Sequence, residues 1–186
     1  MGRTYEGIPD HLGAWIETQP VFFVATAPLS ADGSVNCSPK GNRGELRVLD
    51  AHRVAYVEQT GSGIETVAHL NENGRIVVML CAFAGPPRIV RLHGRGHSAV
   101  PGTPEFDALA SNWPAASAVG VRSIIVVDVR RISDSCGYGV PLMSFEGHRP
   151  TMDEWSERKG ADGIRSYQAD NNQQTIDGRP SGLPVG

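Results

Sequence analysis

Residues 53–96, RVAYVEQTGSGIETVAHLNENGRIVVMLCAFAGPPRIVRLHGRG, decide the fold. Val54 to Val57 is β-prone and runs into the polar turn Glu58-Gln59-Thr60-Gly61-Ser62-Gly63. Ile64 to Asn73 then has helical spacing, with Ile64, Val67, Ala68 and Leu70 on one side. Arg75 to Phe83 and Arg88 to Gly96 follow as two strands joined by Ala84-Gly85-Pro86-Pro87. A hydroxyl-bearing glycine turn at a helix start, inside a mostly β chain, points to an anion site served by backbone N–H groups and the helix dipole. The spaced glycines and repeated parallel βαβ context of a dinucleotide fingerprint are missing.

Working outward, Asp10 to Gln19 reads as a short helix with Leu12, Trp15 and Ile16 inward, and Pro20 ends it. Val21 to Thr26 is a strand, Ser30-Ala31-Asp32-Gly33 a turn, and Ser34 to Cys37 the returning strand. Ser38-Pro39-Lys40-Gly41-Asn42 is expected as a polar loop before a third strand, Glu45 to Leu49. On the other side, Thr103 should cap a helix to Ser111, with Phe106, Leu109 and Ala110 inward. Ile124-Ile125-Val126-Val127, apolar on both faces, suits a strand covered on both sides. Ser135 to Pro141 leaves it as a tight loop, and Thr151 to Asn172 is helical with a break near Lys159-Gly160. The glycine- and proline-rich tail from Thr175 has no core-forming pattern and is expected to be loosely held or wrapped over a partner. About six or seven strands with early hairpins predict a mainly β (α+β) domain, a small antiparallel barrel with a few flanking helices. Residues 1–150 form the barrel and 151–186 a helical extension and tail of the same domain.

At 186 residues the chain is most simply one domain. A formal charge of −3 offers no broad basic field for nucleic acid or anionic membrane. Cys37, Cys81 and Cys136 are scattered without a Cys-x-x-Cys pair, which fits reduced thiols in a cytoplasmic protein. There is no signal-peptide pattern and no apolar run near the ~20 residues of a membrane span. The histidines lie at no metal-site spacing, so no metal is expected. Lys40 is one of two lysines in the chain, the other being Lys159.

The order of these pieces from Leu12 to Asp134 resembles the pyridoxamine 5′-phosphate oxidase-like split barrels, which bind FMN at a homodimer interface. The phrases that carry it are Val21-Phe22-Phe23-Val24-Ala25-Thr26, Val35-Asn36-Cys37-Ser38-Pro39-Lys40-Gly41, Gly61-Ser62 opening a helix that ends at Asn73, and Arg88 to Gly96. The resemblance implies a split barrel, a flavin-dependent oxidoreductase and a small-molecule substrate in the dimer cleft. It places a cofactor phosphate near Ser38, Lys40, Thr60, Ser62 and Thr66, with Arg91 toward a cofactor edge. The basic pair that the family commonly carries after Gly-Ser is replaced here by Gly63 and Ile64, followed by Glu65. Weaker FMN binding than in the parent oxidase, or a different flavin-like ligand, follows. The pyridoxamine-binding set cannot be traced in this chain.

Each candidate has a plainer reading. Lys40 could be a solvated lysine, Ser62 a helix cap, Thr66 a packing residue, and the Arg91-His93-Arg95 face ordinary solvent surface. Cys136 reads better as a buried free cysteine than as a nucleophile, and Tyr138 better as a loop anchor than as a ligand cover. Trp15, Trp113 and Trp155 read as core or interface residues. No general acid or base is assigned. Three alternatives stay open: a deazaflavin coenzyme in place of FMN, a non-catalytic flavin-binding barrel, and a haem-binding barrel.

Overall fold

The structure, a computed structural model, describes residues 2–41 and 44–184. Asn42 of the expected polar loop therefore lies outside the described residues. Helix α1 (Asp10–Thr18) buries Leu12, Gly13 and Ile16. It stops where Gln19 turns extended ahead of Pro20. Strand β1 (Arg3–Tyr5) precedes it, and β2 (Val21–Thr26) follows with strict alternation that buries Phe22, Val24 and Thr26. Next come β3 (Asn36–Gly41), β4 (Leu46–Asp50), β5 (Arg53–Gln59) and helix α2 (Glu65–Asn73). Then follow β6 (Arg75–Cys81), β7 (Ile89–Ala99), α3 (Pro104–Ala110), a 3-10 turn at Pro114–Ser117, β8 (Val121–Ser135) and α4 (Thr151–Asn171). Thr103 caps α3, accepting a hydrogen bond from the Phe106 N–H as the sequence predicts.

The strands form one 8-stranded antiparallel sheet in the order β3-β2-β6-β7-β8-β5-β4, with β1 added beside β8. The sheet curls until its two ends meet. Phe22 on β2 lies edge-to-face on Tyr56 of β5, with ring centroids 5.3 Å apart. Lys40 on β3 reaches Glu58 on β5 at 3.1 Å. That closure without continuous pairing is a split barrel, the expected fold class. On β8, Ile125 and Val127 enter the barrel core while Ile124 and Val126 enter a second cluster under Phe106 and Trp113. The unbroken apolar run thus serves two cores. Gly94 marks the closest approach of β7 and β8: a Cβ there would stand 2.3 Å from the Asp128 carbonyl oxygen, and the register shifts beside it. Among the described residues, no helix is long and apolar enough to cross a membrane.

Several expectations need correction. Ser38 to Gly41 is strand, not loop, and pairs with Val21 to Val24. Pro39 fits because β3 is an edge strand, where alternate N–H groups need no neighbour. The tail is held on its own chain. Asp177 accepts from the Ser34 N–H and hydroxyl at 2.7 and 2.8 Å, Arg179 pairs with Glu72, and Leu183 enters the barrel core. Its single anchors leave no periodic signature. Cys136 is exposed rather than buried, because the chain turns outward at Gly137 with φ 65°. Tyr138 is 83% exposed and anchors nothing. Ser62 does not cap α2; Ile64 occupies that position without a side-chain cap.

Candidate functional site

A cavity of about 1240 Å³ opens between β3, the β5–α2 turn and the segment from Met143 into α4. Ser38, Lys40, Thr60, Ser62 and Thr66 all line it. Arg91 does not. It stays on β7, half-buried, and donates to the Ser135 hydroxyl at 3.2 Å. Neighbouring His93 and Arg95 are exposed.

The polar side of the cavity is tightly cross-linked. Asn36 is its hub: its Nδ2 donates to Thr66 Oγ1 at 3.1 Å and to Thr26 Oγ1 at 3.2 Å, and its Oδ1 accepts from Ser38 at 2.9 Å. Thr60 is fully buried, with its N–H donating to the Gly120 carbonyl and its hydroxyl accepting from Gln168 at 2.8 Å. The glycine turn is gripped from α4 and β8. Asn172 donates to the Gly61 carbonyl at 3.0 Å, and Arg122 Nη1 to the Gly63 carbonyl at 3.0 Å and to Asn172 Oδ1 at 2.9 Å.

Beneath the turn lies a buried charge cluster. Glu58, 2% exposed, accepts from Lys40 Nζ at 3.1 Å and from Arg122 Nη2 at 3.2 Å, both on Oε1. Its Oε2, together with Arg122 Nε and the Tyr56 hydroxyl, is buried without a hydrogen-bond partner. Burial pushes the Glu58 carboxyl up, but the Lys40 and Arg122 charges outweigh it and hold the group below its ordinary value. Glu58 is therefore ionised at neutral pH.

The opposite wall is apolar and aromatic, made by Phe23, Phe83, Met143, Phe145, Met152 and Trp155. Trp155 meets Tyr167 edge-to-face at 5.0 Å, and Lys159 Nζ sits 5.3 Å from both ring centres. Trp155 is thus a cavity residue. Sequence reading missed Asn36 as hub, Gln168, and above all Glu58 and Arg122. A signal did exist: Glu58 ends one apolar strand and Arg122 opens another, opposite charges at strand ends that pair in the sheet.

The sequence profile of the pyridoxamine 5′-phosphate oxidase family matches residues 8–136. The chain belongs to that family. A pyridoxamine 5′-phosphate oxidase family protein of Aspergillus flavus, ustO, is 36% identical over 190 residues, covering 95% of this chain and 76% of the relative. Among solved structures, a single-residue variant of HupZ from Group A Streptococcus aligns with a TM-score of 0.54 at 25% identity, over 69% of this chain and 99% of that one. Unsubstituted HupZ gives 0.52 and 25%, over 67% and 91%. The family match spans the barrel and stops before α4, so the aromatic wall from Met143 onward lies beyond the matched residues.

Proposed function

We propose that this pyridoxamine 5′-phosphate oxidase family member binds a flavin, FMN in the first instance, in the cavity below α2, and is a flavin-dependent oxidoreductase acting on a small conjugated molecule. The observation that carries this reading is the convergence of Ser38, Lys40, Thr60, Ser62 and Thr66 on one cavity walled by Phe83, Phe145 and Trp155. The donor set fits a polar chain and the wall fits a planar ring. At about 1240 Å³ the cavity exceeds the ~300–1,000 Å³ of a typical single-ligand pocket, which leaves space for a substrate beside the cofactor. A bound flavin supplies the redox chemistry.

The chain's own residues bind, orient and exclude water. Ser38, positioned by Asn36, and Ser62 offer hydroxyls to the polar end of the ligand. Arg122 and Asn172 fix the glycine turn from below, so its shape does not depend on the ligand. Phe83 and Trp155 wall the ring end, with Met143 and Phe145 at its exposed rim. We take the assembly to be a homodimer and the compartment to be the cytoplasm. Supporting these, Tyr138, Leu142, Met143 and Phe145 form an exposed apolar run beside the cavity, and the three cysteines are free thiols.

The test is the visible spectrum of the purified protein after incubation with FMN and gel filtration. Retained flavin absorbance, bleached by a reduced nicotinamide and restored by an acceptor, is the expected result. An intact protein that retains no flavin overturns the reading.

A further inference from the structure

The cations that would meet a cofactor phosphate are already engaged. Lys40 and Arg122 both bond Glu58 Oε1, and all three side chains line the cavity. Glu58 is 2% exposed and Arg122 4%, so solvent screens this charge weakly. A second carboxylate lies at the opening of α2. Glu65 Oε2 is so close to Gly63 that a Cβ on that glycine would stand 2.5 Å away, while Oε1 accepts from the Ile176 N–H at 3.1 Å. The helix opening that would attract an anion thus carries its own negative charge. Arg149 and Arg158 also line the cavity, but both are exposed, where water and salt blunt their pull.

We propose that Glu58 is the residue that sets the ligand charge this pocket accepts. It occupies Lys40 and Arg122, so a flavin is held by its ring and ribityl chain while a terminal phosphate adds little. The inference rests on the flavin reading above. A phosphate monoester carries about −1.5 to −2 charges at pH 7, and the buried carboxylate cancels one of the two cationic charges that would otherwise meet it. The turn itself adds no cation, since Gly63 and Ile64 follow Ser62, and Glu58 is buried behind them.

The experiment is fluorescence titration of riboflavin and FMN against wild type, Glu58→Gln and Lys40→Met at one pH and one salt concentration. Wild type should bind the two flavins within about tenfold of each other. Glu58→Gln should tighten FMN by about tenfold and leave riboflavin unchanged. Lys40→Met, which leaves Glu58 with Arg122 alone, should weaken FMN relative to riboflavin. Wild type preferring FMN by more than about 100-fold, or Glu58→Gln moving both ligands equally, overturns the proposal. Should Glu58→Gln fail to fold, the wild-type FMN-to-riboflavin ratio decides, and a preference for FMN above about 100-fold overturns it. Binding of neither flavin to wild type removes the flavin reading and this inference with it. That outcome is separate from riboflavin bound with FMN strongly preferred, which removes the inference alone.

Discussion

His69 ends the hydrogen-bonded chain that starts at the cavity. Its Nδ1 lies 3.0 Å from Thr26 Oγ1, which also accepts from Asn36, and its Nε2 is buried without a partner. Burial lowers the imidazole pKa, with Arg179 acting in the same direction and Glu65, Glu72 and Asp177 opposing. A histidine depressed in the folded state takes up its proton later than in the unfolded chain. Its contribution to stability is therefore complete above the unfolded value near ~6.5 and is lost as pH falls toward the lower folded value. Melting temperature should drop as pH is taken downward from neutrality, and His69→Gln should flatten that slope. His93, also lowered by burial and by Arg131 and Arg91, keeps a share of it. Identical slopes for wild type and His69→Gln would exclude this role. At this scale the sequence showed which polar residues cluster near the turn. It could not show that Asn36 would join Ser38, Thr66 and Thr26, because that needs β3 laid beside β2 and α2.

The break in α4 was legible, since Lys159-Gly160 interrupts a mostly polar helical stretch. Its consequence was not. Trp155 and Tyr167 are twelve positions apart, which in a straight helix is about 18 Å. They touch, because Gly160 at φ 64° and ψ 175° folds the second half back on the first. That backbone region is nearly exclusive to glycine, and the site has room for a Cβ, so Gly160→Ala isolates backbone strain. It should cost about 1–3 kcal/mol in denaturant unfolding and weaken ligand binding by loosening the Trp155 wall. Full stability in that variant would mean the kink is held by the lysine–aromatic contacts instead. Strands β2 and β4 to β7 lie within a few residues of their sequence positions, but β1 has no sequence signal, β8 runs on to Ser135, and β3 was misplaced. There, Pro39 and Gly41 look like a loop to any local rule, and only an edge position in the sheet makes them a strand.

Across the whole molecule, the exposed run of Tyr138, Leu142, Met143 and Phe145 is the surface most in need of cover. Light scattering of the eluting protein should give twice the chain mass, and a clean monomer at micromolar concentration would remove the homodimer. By itself the sequence determined the mainly β class, the helix at Ile64 to Asn73, the polar turn before it and the family. Each rests on local periodicity, turn chemistry or the order of phrases along the chain. Tertiary structure alone decided that the ends of the sheet meet, that Glu58 occupies both Lys40 and Arg122, and that the tail returns through Asp177, Arg179 and Leu183 to its own chain. Those contacts join residues far apart in sequence, and the charge that a buried site presents depends on which groups the curl of the sheet brings within a few ångströms.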